Sequence, residues 1–131
     1  MKKKLLLACL VGLLSMTSAY AKCDGGTEVT NSVGTRFCMG NVDLNWWSAF
    51  AWCKANSRTL ATIYEMCPSW NGTTGTTCSE INNLTSGYTS AWTATVSGSA
   101  NAYIVSLKGS GSVHIDNRDE NRTAGRVAFC R

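Results

Sequence analysis

The chain has 131 residues, of which 44% are hydrophobic and 15% charged, with 12 Lys+Arg against 8 Asp+Glu. The formal charge of +4 looks basic, but Lys2, Lys3 and Lys4 supply most of that excess. Without them the chain is close to neutral, which removes the charge argument for binding nucleic acid or anionic membrane.

Residues 1–21 read as a secretory signal peptide. Three lysines precede an apolar run from Leu5 to Met16, and Ala19-Tyr20-Ala21 places small residues before a cut at Lys22. The run is shorter than the ~18–20 residues that span a bilayer. Leu6-Leu7-Ala8-Cys9 has the look of a lipoprotein box, but it stands too close to the lysines to leave an apolar core before it. The lysine-rich leader looks bacterial. The expected location is therefore the periplasm, the cell surface or the outside, with no membrane span once the leader is gone.

Residues 22–131 suit one domain with a thin core. Its six cysteines are Cys23, Cys38, Cys53, Cys67, Cys78 and Cys130, an even number that reads as three disulfides whose connectivity stays open. No Cys/His spacing suits zinc, and neither a metal nor a cofactor is expected.

The first predicted element is a hairpin. Thr27-Glu28-Val29-Thr30 and Thr35-Arg36-Phe37-Cys38 flank the turn residues Asn31-Ser32-Val33-Gly34, and a Cys23–Cys38 bridge would clamp the two strands. A helix over residues 46–55 follows, N-capped by Asp43 or Asn45. At about 100° per residue, Trp46, Ala49, Phe50 and Cys53 make one inward stripe. Trp52 lies at its border, and Trp47 faces outward beside Lys54. Thr62 and Glu65 form a capping box for a short second helix that Cys67-Pro68 ends. Residues 71–77 are a Gly/Thr loop returning to Cys78. Beyond residue 87 the pattern is strands and turns. Trp92-Thr93-Ala94-Thr95-Val96 alternates, as do Tyr103, Val105 and Leu107, then Val113 and Ile115. The polar run 116–121 precedes a final strand over residues 125–130.

Trp46-x-x-Ala49-x-x-x-Cys53, followed by Leu60-Ala61-Thr62-Ile63 and Glu65, resembles the two-helix signature of C-type-lectin-like domains. Later residues are similar to the branch of that family that ends bacterial collagen-like surface adhesins. They are Trp92-Thr93-Ala94-Thr95, Ala102-Tyr103-x-Val105, Gly109, Arg118 and Arg126-Val127-x-x-Cys130-Arg131. The Arg-Leu-Pro segment of that branch is missing, with Arg58-Thr59-Leu60 a partial echo. The resemblance implies an α+β fold with two short helices and a small twisted antiparallel sheet. It implies a Cys53–Cys130 bond and a hairpin bridge Cys23–Cys38. Cys67–Cys78 would remain as a local pair, unlike the family's usual second bridge. Closing the loop from Cys53 to Cys130 is worth roughly 4–5 kcal/mol in the chain-entropy model.

The calcium-dependent members of that family use a Glu-Pro-Asn or Gln-Pro-Asp motif, which this chain lacks, since Pro68 is its one proline. Asp116, Asn117, Asp119, Glu120 and Asn121 supply oxygen atoms, but Arg118 and Arg122 in the same run oppose a cation, so it reads as a solvated turn, with a calcium site as the minor alternative. His114 reads as a surface or structural histidine, and no pair of acids stands out for glycosidase chemistry. No catalytic residue is expected. The leading expectation is a non-enzymatic, calcium-independent binding or adhesion module for a glycan or a surface protein. Its candidate contact residues are Trp47, Trp92, Asp116, Asn117, Arg118, Asp119, Asn121 and Arg122. A minor subunit of a surface appendage is the alternative, and a small secreted enzyme stands third. The oligomeric state is left open.

Overall fold

The computed structural model describes residues 21–81, 84, 90–119 and 126–131. The leader up to residue 20 and two of the candidate contact residues, Asn121 and Arg122, lie outside that set.

Gly26–Thr30 (β1) and Arg36–Gly40 (β2) form the N-terminal hairpin, in register from Gly26↔Gly40 to Thr30↔Arg36. Asn31 fixes its turn. The buried side chain accepts the Thr35 N–H at 2.9 Å and donates to the Met66 carbonyl at 3.1 Å, so the turn is tied to the core by its own polar group. Trp46–Ala55 is helix α1, and Asn45 caps it by accepting the Ser48 N–H at 2.8 Å. Ile63–Met66 is α2, where Thr62 and Glu65 exchange both bonds of the capping box, 3.1 and 3.0 Å. A 3₁₀ turn, Ser79–Ile81, follows the loop after α2.

Two sheets stand where a single antiparallel one was expected. With β3 at Ser90–Ser97, β4 at Asn101–Ser106, β5 at Val113–Asn117, β6 at Arg126–Val127 and β7 at Phe129–Cys130, one has the order β1-β2-β7 and the other β5-β4-β3-β6. The division arises in the last strand, which breaks at Ala128. Arg126–Val127 (β6) runs parallel to β3, whereas Phe129–Cys130 (β7) runs antiparallel to β2. At the break, the Ala128 carbonyl accepts the Gly40 N–H at 2.9 Å. A one-residue break thus lets one short segment close both sheets.

The alternation of β3, β4 and β5 sends Ala91, Val105 and Val113 to one face and Trp92, Ala102 and Ile104 to the other. The first face packs with Phe37, Ile63, Met66, Trp70 and Phe129. The second packs with Trp46, Ala49, Cys53, Leu60 and Cys130. The inward stripe of α1 therefore covers one side of the β3–β5 sheet while α2 and the loop after it cover the other. Trp52, at the border of the stripe, is half-buried over Gly26. A Cβ there would stand 2.8 Å from the Trp52 ring and 2.6 Å from the Met39 carbonyl oxygen, so only glycine admits the indole.

Three disulfides close the molecule: Cys23–Cys38, Cys53–Cys130 and Cys67–Cys78, with Cα separations of 5.5, 5.5 and 5.4 Å. Among the described residues no helix is long and apolar enough to cross a membrane. The Cys53–Cys130 bond spans 77 residues, the widest closure of the three. Replacing both of its cysteines by alanine should lower stability by about 2–5 kcal/mol in urea unfolding. Peptide mapping of the oxidised protein should recover Cys53 joined to Cys130, and finding Cys53 joined to Cys67 would contradict this fold.

Glu80 is 7% exposed and lies beside the Cys67–Cys78 bond. Burial pushes its carboxyl up, but hydrogen bonds from the Ser69 and Ser79 side chains and from the backbone N–H groups of Ser69 and Glu80 outweigh that and hold it below its ordinary value. The Ser69 N–H stands 3.0 Å from Oε1, and the Glu80 carbonyl accepts the Ser32 N–H at 3.0 Å. One residue thus joins loop, 3₁₀ turn and hairpin. Because the folded pKa is depressed, this contribution is present above the unfolded value and is lost as pH falls through the folded one. Glu80→Gln should cost about 1–2 kcal/mol at neutral pH. Below the carboxylate range the gap to wild type should close, and a gap that stays constant with pH would refute the assignment.

Candidate functional site

The start of α1 carries the most organised polar and aromatic surface among the described residues. Asn45 sets the helix start, which places Trp46 and Trp47 side by side in the first turn, about 100° apart around the helix. Trp46 is buried, and its indole N–H donates to the Thr93 carbonyl at 2.8 Å. That bond satisfies the one polar group of a core tryptophan and locks α1 against β3. Trp47 is 53% exposed and meets Trp46 edge-on, with ring centroids 4.8 Å apart at 89°. Phe50 continues the stack 5.4 Å from Trp46.

The turn after β5 closes over this pair. Arg118 lays its guanidinium above both rings, 5.2 Å from the Trp46 centroid and 5.4 Å from that of Trp47. Its backbone N–H donates to the Ala100 carbonyl at 2.8 Å, and its guanidinium also donates to the Ser99 carbonyl. Asp119 accepts the Trp47 indole N–H at 2.9 Å. The turn is pre-shaped by its own side chains. Asn117 takes the Asp119 N–H at 2.8 Å, and Asp116 takes the Asn117 N–H at 2.9 Å.

Beneath this surface lies a second arginine on an indole. Arg126 pairs with Asp116 at 2.7 Å, both side chains being largely covered, and stands 5.8 Å from the Trp92 ring. Trp92 itself is 1% exposed and donates its N–H to the Leu44 carbonyl at 2.7 Å. The expectation that Trp92 offers its ring to a ligand is therefore corrected. It is a floor rather than a contact surface, because α1 and Leu60 cover that face of the sheet, with Trp46, Ala49 and Cys53 in the same buried cluster.

The sequence-derived candidates Trp47, Asp116, Asn117, Arg118 and Asp119 do converge, with Trp92 below them. Arg126 and Trp46 were missed as members. Both sit in segments read as core, and only the pairing of β6 with β3 shows that Arg126 reaches Asp116. Asp43, just before α1, is also close to the helix start; among the described residues its covered Oδ1 meets no hydrogen-bond donor, and the covered Nε atoms of Arg118 and Arg126 meet no acceptor. Chemically, the surface offers an indole face, a stacked cation and a carboxylate held by an N–H. That set suits recognition by stacking and hydrogen bonding. His114 is exposed on β5, two residues from Asp116. Among the described residues no three His, Cys, Asp or Glu side chains gather as a metal ligand set.

No family model and no curated protein matches the chain.

The burial difference between the two neighbouring tryptophans is testable. Trp46→Ala should cost about 3–5 kcal/mol of stability, whereas Trp47→Ala should cost about 1 kcal/mol. Equal losses in chemical unfolding would show that Trp47 belongs to the core.

Proposed function

We propose that this chain is an exported, non-enzymatic binding or adhesion module of C-type-lectin-like architecture that engages a glycan or a protein surface through Trp47, Arg118 and Asp119. The observation that carries the reading is the state of Trp47. A large indole is left half in solvent, yet it is fixed edge-on by Trp46, stacked by Arg118 and hydrogen-bonded by Asp119. An exposed aromatic with no task would be free to adopt several rotamers. This one is held in a single orientation, which lowers the entropy lost when a partner docks on it. Tryptophan and arginine are also the residue types that most often dominate binding energy at such surfaces.

Other features support the same reading. The tie from α1 to the last strand and the bridged N-terminal hairpin are the two closures that the C-type-lectin-like resemblance implies. Three disulfides accord with an oxidising compartment, as export would provide. Asp116 and Asp119 already serve Arg126 and the Trp47 N–H, and Arg118 stands between them in the chain, so binding is expected to be independent of calcium.

The test is an array of glycans and extracellular-matrix proteins probed with the oxidised protein, with and without chelator. Wild type should bind at least one of them equally in both conditions. Trp47→Ala and Arg118→Ala should each weaken that binding by at least about tenfold, the scale of an interface hot spot. An unchanged affinity in both variants, or the loss of all binding in chelator, would overturn the assignment.

A further inference from the structure

A second surface lies on the other face of the β3–β5 sheet, away from Trp47. Tyr64 on α2 is 54% exposed, although its neighbours Ile63 and Met66 are fully buried. Its ring is not free. Trp70 packs beneath it with centroids 5.7 Å apart, and Trp70 is in turn met edge-on by the half-buried Tyr103 of β4 at 5.2 Å. Ile115, paired with Tyr103 across β4 and β5 and therefore on the same face, is also exposed.

The loop beside these rings is built to hold one shape. Its base is closed by Cys67–Cys78. Trp70 props it from below, its indole N–H donating to the Thr73 carbonyl at 3.2 Å and to Thr76 Oγ1 at 3.0 Å. Asn71 Oδ1 accepts the Thr73 N–H and the Thr76 hydroxyl, each at 3.0 Å. The far side is pinned to β5, with Gly75 N–H donating to Val113 O at 2.8 Å and Val113 N–H to Thr76 O at 3.0 Å. Gly72 and Gly75 take the positive φ values, +85° and +83°, that these tight turns need. Asn71, Thr73, Thr74 and Thr77 are left exposed on the loop.

We propose that Tyr64, Tyr103 and the disulfide-bracketed loop at 68–77 form a second binding site, for a neutral oligosaccharide. Three properties select that ligand class. The platform is aromatic, which suits the C–H faces of a sugar ring. Its rim consists of hydroxyl, amide and backbone groups, which suit sugar hydroxyls. Between Cys67 and Ser79 the chain carries no Asp, Glu, Lys, Arg or His, so the loop offers a charged ligand no counter-charge. Glu65, the charged residue next to Tyr64, is already engaged by the Thr62 N–H at 3.0 Å and by Arg131 at 3.6 Å. Tyrosine contributes large contact area with few torsions to freeze, and the stapled loop adds little ordering cost. The site stands on this geometry alone and is independent of the Trp47 surface.

Calorimetry of the oxidised protein against short oligomers of β-1,4-glucose, β-1,4-N-acetylglucosamine, α-1,4-glucose and α-1,6-mannose, at millimolar concentration, tests the proposal. At least one should bind. Raising the salt from about 0.1 to about 0.5 M should leave that binding unchanged, because no ion pair is made. Tyr64→Ala should weaken it at least tenfold, Tyr64→Phe should stay within about threefold of wild type because the ring is kept, and Trp47→Ala should have no effect. Circular dichroism in the aromatic region distinguishes loss of the site from loss of the fold. Absence of binding to every oligomer overturns the proposal, as does binding that Tyr64→Ala leaves intact. Sugar binding lost in Trp47→Ala and kept in Tyr64→Ala would assign the saccharide to the other surface, which leaves the function proposed for Trp47 standing.

Discussion

The structure depends on the short strand Phe129–Cys130 and the bond that fastens it. A strand of two residues makes few ladder hydrogen bonds and would be marginal by itself. Here it is held on three sides. Cys38 and Met39 pair with it in β2, the Phe129 carbonyl accepts the Ala61 N–H at 2.8 Å, and Cys130 is bonded to the helix residue Cys53. Arg131 extends the tie through its N–H to the Thr59 carbonyl at 2.8 Å. The main helix, the N-terminal hairpin and the segment leading into α2 are thereby joined through one dipeptide. In the unfolded chain the same bond removes a large part of the available conformations, so its effect is felt on both sides of the folding equilibrium.

Once that closure is made, the two tryptophans Trp46 and Trp92 organise what lies above it. Each sends its indole N–H to a carbonyl of the opposite element, Trp46 to β3 and Trp92 to the residue before the Asn45 cap. The crossed bonds fix the helix start against the sheet to within hydrogen-bond tolerance. Arg118 and Arg126 then stack on these indoles from the turn after β5 and from β6. A surface assembled from four separate segments acquires a defined shape because its rigid parts are aromatic rings whose polar atoms are already satisfied. The Tyr64 surface is organised on the same plan with different parts, since there Trp70 is the fixed ring and a disulfide-closed loop supplies the rim.

Much of the local structure was legible beforehand, for physical reasons that act over a few residues. The Thr62/Glu65 capping box and the stop at Cys67-Pro68 depend on neighbouring groups only, and so does the local half of the Asn31 turn, its bond from the Thr35 N–H, although its second bond reaches Met66. The 3.6-residue period placed Trp46 inward and Trp47 outward. The same reasoning failed at Trp92. Period-two alternation assigns it a face, but both faces of the β3–β5 sheet are covered, so no alternation pattern distinguishes a ligand surface from a core. It also failed at Arg126, whose reach to Asp116 depends on a parallel pairing between residues far apart in the chain.

By itself, the sequence determined the span of the first helix, the capping box and the stop of the second, the turn residues, the even set of cysteines and the outward direction of Trp47, while the choice of Asn45 over Asp43 as cap was left to the structure. Each follows from torsional preferences, hydrogen-bond geometry or periodicity within a short window. Only the tertiary structure decided that the last strand divides at Ala128 to serve two sheets, that Trp92 becomes a buried floor, and that Arg118 and Asp119 close over Trp47. These outcomes rest on which distant segments are brought within a few ångströms of one another. Contacts of that kind are selected by the packing of the whole chain, because they are favourable only after its long loops have been closed.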